Sequence, residues 1–231
     1  MDSLLTISLL YEVIGKKEFQ KGLIDLVFKE AKNKEEASGK PFVKIPSSVT
    51  NMNMYVFHNC TSITSVYIPN SVTNISTYAF HECKNLTSVH IPSTVTIICC
   101  QAFSRCPSLS SVHIPDSVKD IGLHAFAWCS SLTSIHIPNS ITTINTGVFS
   151  HCSSLTSVTI PNLVTNIDYG AFYVCSGLTS VNIPNSVTEI AKNAFAWCSS
   201  LKTIKIPKKF QPIMDDIFYG VDLSKVNITY I

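Results

Sequence analysis

The sequence predicts an α/β repeat solenoid of 23-residue coils, with one parallel β-strand per coil and a helical cap at its N-terminal end. Three observations carry that prediction. An Ile-Pro pair recurs at Ile45-Pro46, Ile68-Pro69, Ile91-Pro92, Ile114-Pro115, Ile137-Pro138, Ile160-Pro161, Ile183-Pro184 and Ile206-Pro207, always 23 residues apart. The same register carries Phe57, Phe80, Phe103, Phe126, Phe149, Phe172, Phe195 and Phe218, and beside them Cys60, Cys83, Cys106, Cys129, Cys152, Cys175 and Cys198. Charge, finally, is uneven: residues 1–44 hold eight of the 17 Lys and Arg and seven of the 15 Asp and Glu.

The elements follow in order. Leu9, Leu10, Val13 and Ile14, then Leu23, Ile24, Val27 and Phe28, fall at helical spacings, which predicts two amphipathic helices broken near Gly15. A polar run ending at Ser38-Gly39 closes them, so residues 1–40 are read as the N-terminal cap. The solenoid is expected over 41–231. One unit reads Leu86-x-x-Val89-x-Ile91-Pro92-x-x-Val95-x-x-Ile98-x-x-x-Ala102-Phe103-x-x-Cys106. Val89 and Ile91 share one face of an extended segment and His90 takes the other. Pro92 ends the strand because it has no donor for the ladder. Val95 and Ile98 return the chain along a second, extended or loosely helical side, and Ala102, Phe103 and Cys106 fit one turn of helix. A lone coil buries too little to offset the entropy of ordering its backbone, so coils must stack, at about 4.8 Å per strand. Residues 208–231 are read as an irregular last coil and C-terminal cap. There Val221 stands where the cysteine would, and Leu223-x-x-Val226-x-Ile228 keeps the strand motif one residue early.

The Leu-x-x-Val-x-Ile strand resembles a leucine-rich repeat. The form Ile-Pro-Asn-Ser-Val-Thr…Ala-Phe…Cys-Ser-Ser-Leu-Thr-Ser is similar to the BspA-like (Treponema pallidum class) family, over about residues 41–231. That resemblance implies a right-handed solenoid with a concave sheet, used for protein binding and often for adhesion at cell surfaces, and no shared catalytic residue or cofactor. The chain departs from the general repeat where an Asn or Cys ladder is usual, with Ser71, Thr94, Ser117, Ser140, Leu163 and Ser186. Leu163 has no hydroxyl to bond loop backbone, so its coil is expected to be looser.

Composition narrows the function. A net charge of +2 over 231 residues provides no basic face for nucleic acid. No window approaches 18 apolar residues, so no membrane insertion is expected. The apolar N-terminus carries Asp2 and no small-x-small cleavage site, unlike a secretory signal. With cysteines read as unpaired buried fillers, this predicts a cytoplasmic setting, against the cell-surface setting that the resemblance implies.

Strand alternation turns Tyr67, His90, His113, His136, Thr159, Asn182 and Lys205 outward in one column, the candidate binding face. The three histidines are read as partner contacts rather than metal ligands, since the flanking columns supply only Ser and Thr and no carboxylate. Trp128 and Trp197, two positions after the Phe column, form a second candidate contact on a ridge. No phosphate loop, paired-carboxylate site or nucleophile constellation is evident, so the expectation is a non-enzymatic recognition module with no cofactor. Its partner is an unidentified matrix or host protein, or a glycan. Alternatives are an intracellular scaffold, a self-associating structural protein, or an enzyme using a loop Cys/His pair.

Overall fold

A computed structural model describes residues 42–231 of the chain. The cap expected over 1–40 lies outside the described residues.

Each coil contributes a strand to one broad parallel face. Phe42–Lys44, Ser65–Tyr67, Ser88–His90 and Ser111–His113 form a four-stranded sheet. Ser134–His136, Ser157–Thr159, Ser180–Asn182, Thr203–Ile206 and Asn227–Tyr230 form a five-stranded one. Register follows the repeat, Ser65 opposite Ser88 and Ser157 opposite Ser180. In Ser88–His90, Ser111–His113, Ser134–His136 and Ser157–Thr159 the middle residue is buried while its neighbours are exposed, as alternation requires. The return side is extended too: two-residue strands such as Asn74–Ile75, Ile97–Ile98 and Asp120–Ile121 make narrow parallel sheets.

The third side corrects the sequence reading. It holds turns, not a turn of helix, and among the described residues the one α-helix is Met214–Ile217. The reason lies in where the backbone donors go. Ala79, His81 and Cys83 donate within the coil to the carbonyls three residues back, whereas Tyr78, Phe80 and Glu82 donate to Cys100, Ala102 and Ser104 of the next coil, at 3.2, 2.8 and 2.9 Å. A helix spends all its donors on itself and leaves none for a neighbour. Alternating the donors ties the coils together on this side as well. The architecture is thus a parallel β-solenoid, without the helical layer that an α/β repeat implies.

Inside, the phenylalanine rings form one continuous stack from Phe57 to Phe218, with centroids 4.9 to 5.9 Å apart. The cysteine column is more than filler. Cys83 donates its thiol to the carbonyl of Phe57 at 3.0 Å, and Cys106, Cys129, Cys152, Cys175 and Cys198 repeat the contact at 3.1 to 3.3 Å. The hydroxyl column works alike. Thr94 and Ser117 donate to the carbonyls of Val72 and Val95 at 2.8 and 2.7 Å, and Ser71 and Ser140 to those of Val49 and Val118.

Leu163 lacks that bond and is 59% exposed, yet its coil is not the loose one: Ser157–Thr159 and Asn166–Ile167 pair on both sides. The discontinuity falls one coil earlier, where both sheets divide between Ser111–Ile121 and Ser134–Ile144. That coil carries Ile135 and Ile141 where its neighbours carry Val, and Val148 where they carry Ala. The extra methyl and methylene groups wedge the coils apart. Phe126 and Phe149 are the most widely spaced pair of the stack at 5.9 Å, and the Asn145 side-chain amide donates to the carbonyl of Ile121 at 2.8 Å. Elsewhere in that ladder a backbone N–H does so, as from Gly122 to Ile98. The turn side stays closed, with Phe126 donating to Val148 at 2.9 Å.

The last strand also departs from its expected register. The motif aligns Ile228 with Ile206, but in the structure Ile228 lies opposite Ile204 and Tyr230 opposite Ile206. A 3-10 turn at Leu223–Lys225 takes up the residues that would have begun the strand. The shift is two residues, so inward and outward faces are preserved.

Candidate functional site

The strands bring the predicted column together. Tyr67, His90 and His113 lie side by side in register, as do His136, Thr159, Asn182 and Lys205 on the other side of the discontinuity. All are exposed except Tyr67, which is half-buried under the Lys44 ammonium 5.7 Å from its ring. Tyr67 and His90 stack at 4.5 Å, while His113 and His136 stand 6.5 Å apart across the break. Asp116 approaches His136 at 3.7 Å, an exposed pair of little energetic weight. Among the described residues no group of three or more His, Cys, Asp or Glu is placed to hold a metal. Between Thr159, Asn182, Lys205 and Thr229 the sheet hollows into a trough of about 340 Å³. Lys44 and Thr229 extend the column at its two ends. Counting back 23 residues from Tyr67 finds Lys44, but the shifted last strand hides Thr229.

Trp128 and Trp197 do stand on a ridge, 47% and 46% exposed. Neither ring is free on both sides. The Trp128 indole stacks on the His151 imidazole at 3.6 Å and the Arg105 guanidinium lies 5.8 Å from its centre. Trp197 lies over Gly220, where a Cβ would come within 2.7 Å of the indole. The ridge is built from backbone that the sequence reading did not foresee. Tyr78, Gln101, His124, Glu82, Arg105 and Trp128 all have φ between 54° and 63°. This left-handed region costs a residue with a Cβ roughly 1–2 kcal/mol, and glycine occupies it freely. Later coils do use Gly147, Gly170 and Gly220 in the same columns.

Two imidazoles behind the ridge are half-buried, each with Nδ1 shielded from water. Nδ1 of His81 and of His151 has no hydrogen-bond partner among the described residues. Desolvation lowers the pKa of both below 6.5, and for His81 the nearby Glu82 carboxylate offsets this in part. The unfolded chain therefore binds protons that the folded chain refuses. Stability from this source is complete above pH 6.5 and is lost as the pH falls below it. The melting temperature should drop on acidification from about pH 7.5 to about pH 5.5, and a His81→Gln/His151→Gln double variant should lose less. An equal drop in the variant would show that these rings are not responsible.

Comparison with known proteins agrees with this geometry. The family model described as the BspA type leucine-rich repeat region matches residues 37–133 and 119–230. Among solved structures, the T. pallidum leucine-rich repeat protein is 29% identical, with 79% of this chain and 86% of that one covered and a TM-score of 0.67. A leucine-rich cell surface protein from Faecalibacterium prausnitzii is 36% identical over 73% of this chain and 51% of that one, with a TM-score of 0.63. A leucine-rich repeat protein from Eubacterium ventriosum is 26% identical, covering 70% and 46% of the two chains, with a TM-score of 0.52. The chain thus spans about half the length of the last two. No protein of curated function matches it. With the repeat, its sheet and the family match in agreement, the chain belongs to the BspA-type leucine-rich repeat family.

Proposed function

We propose that this chain is a non-enzymatic protein-recognition module whose concave sheet face, from Tyr67 to Lys205, grips a matrix or host protein in adhesion. The observation that carries this reading is the column itself: exposed side chains of varied chemistry, held on strands whose buried halves are locked in a common core. Rigid presentation lowers the entropy lost on binding, which favours an extended interface. Repeat proteins of this family are generally protein-interaction modules, which supports the same reading.

An enzyme built on a cysteine finds no support in the thiol column. Burial pushes the Cys60 thiol up to about 11 and Cys198 up to about 12, the reverse of what a nucleophile needs. For the seven column thiols the same burial removes the argument for a reducing compartment, because a thiol inaccessible to oxidant persists in either setting. We infer a cell-surface setting, by likeness to the F. prausnitzii cell surface protein.

Biolayer interferometry against a panel of immobilised extracellular-matrix proteins tests the proposal. Wild-type chain should bind at least one of them, and His113→Ala/His136→Ala should bind it about tenfold more weakly with its melting temperature unchanged. Equal affinity in the double variant would remove the sheet face as the contact.

A further inference from the structure

We propose that the turn side carries a second binding site, for a neutral oligosaccharide, in the groove between Tyr78 and Trp128. The groove has a volume of about 520 Å³ and crosses three coils, a size within the roughly 300–1,000 Å³ of small-ligand sites. Its wall presents Tyr78, Glu82, Gln101, Arg105, His124 and Trp128.

The backbone supplies the first argument. Every one of these six residues is in the left-handed region, with φ of 57°, 61°, 54°, 59°, 55° and 63°. The same two columns are left-handed along the solenoid, held beyond the groove by Gly147, Gly170 and Gly220 and by Tyr55, Asn59, His151, Val174, Asn193 and Trp197. Large polar and aromatic side chains thus occupy the places where the fold itself gains least from them. Within the groove six such positions carry side chains able to hydrogen-bond or stack on a ligand. Gly147 belongs to the same design, since a Cβ there would meet the His124 imidazole at 2.1 Å.

The second argument is chemical. Among the described residues the Gln101 carboxamide has no hydrogen-bonding partner, the Glu82 carboxylate has only the His81 imidazole at 3.7 Å, and the Arg105 guanidinium only the Trp128 ring. A carboxylate, a guanidinium and a carboxamide, all planar and all with unspent donors or acceptors, suit adjacent hydroxyl pairs on a sugar ring. One cation and one anion line the groove, which favours a ligand of no net charge. It also lacks the apolar pockets in which a protein partner seats its anchors. The Tyr78 and Trp128 rings bound it at either end.

The test uses the full chain on an array of neutral and acidic oligosaccharides, followed by titration with the free sugar while Trp128 fluorescence is recorded. A neutral oligosaccharide should bind and perturb that fluorescence. Glu82→Gly/Arg105→Gly should weaken binding at least tenfold while the melting temperature holds or rises, because glycine relieves the backbone. His113→Ala/His136→Ala on the sheet face should leave sugar binding unchanged. Absence of any bound glycan, binding only of acidic ones, or undiminished binding by the glycine variant would overturn the proposal.

Discussion

Phe126→Ala is expected to lower the unfolding free energy by about 3–5 kcal/mol, read as a shifted midpoint in urea. Phe126 is fully buried, stacked on Phe103 at 5.2 Å and Phe149 at 5.9 Å. A cavity left there has little means of closing. The following coil is pinned by the Phe126 N–H donating to Val148 at 2.9 Å and by the Cys152 thiol donating to the Phe126 carbonyl at 3.3 Å. The preceding one is pinned by the Phe103 N–H donating to Ala125 at 2.8 Å and by the Cys129 thiol donating to the Phe103 carbonyl at 3.3 Å. The transfer cost is then joined by the cost of an unfilled void. A loss below about 1.5 kcal/mol would mean that the coils slide to refill the gap, and that the stack is not a rigid column.

Gly122→Ala should be nearly as damaging, at about 3 kcal/mol, although it adds one methyl group. A Cβ on Gly122 would lie 2.6 Å from the Cys100 nitrogen and 2.8 Å from the Cys99 carbonyl carbon. Both are backbone atoms of the preceding coil, which cannot swing aside as a side chain can. Relief requires coil separation, and that strains the 2.7 Å bond from the Gly122 N–H to Ile98. Gly170→Ala is the control. It has φ of 60° but its Cβ would find its nearest neighbour at 3.4 Å, so only the conformational cost of about 1 kcal/mol should appear. Equal effects from the two would show that close approach of coils is not what Gly122 serves.

Much of this molecule was legible because stacking converts a sequence interval into a spatial column. The Ile-Pro spacing alone places Val89 beside Val112 and His90 beside His113, and the structure agrees in register. What failed had a local cause that no interval reports. Ala102, Phe103 and Cys106 fit a helical turn by spacing, but the left-handed residues Gln101 and Arg105 divert alternate donors to the next coil. Nothing in the identity of a Gln or an Arg announces a positive φ, so the ridge was legible through Trp128 and Trp197 but its left-handed backbone and groove were hidden. The discontinuity was visible in principle, since Ile135, Ile141 and Val148 are each larger than the residues one coil before and after. Leu163 breaks its column too, but its missing hydroxyl removes one bond without wedging anything. The last strand slipped by two because alternation is blind to a shift of two residues.

The central claim is that repeated positions are sealed into columns, leaving recognition to the outer faces. Limited alkylation of the native protein with iodoacetamide, read by peptide mass, tests it most directly. Half-buried Cys99 and Cys100 should be modified, and the seven buried column thiols should stay protected until the chain unfolds. A column thiol that reacts ahead of Cys99 and Cys100, or nine thiols that react alike, would contradict the account.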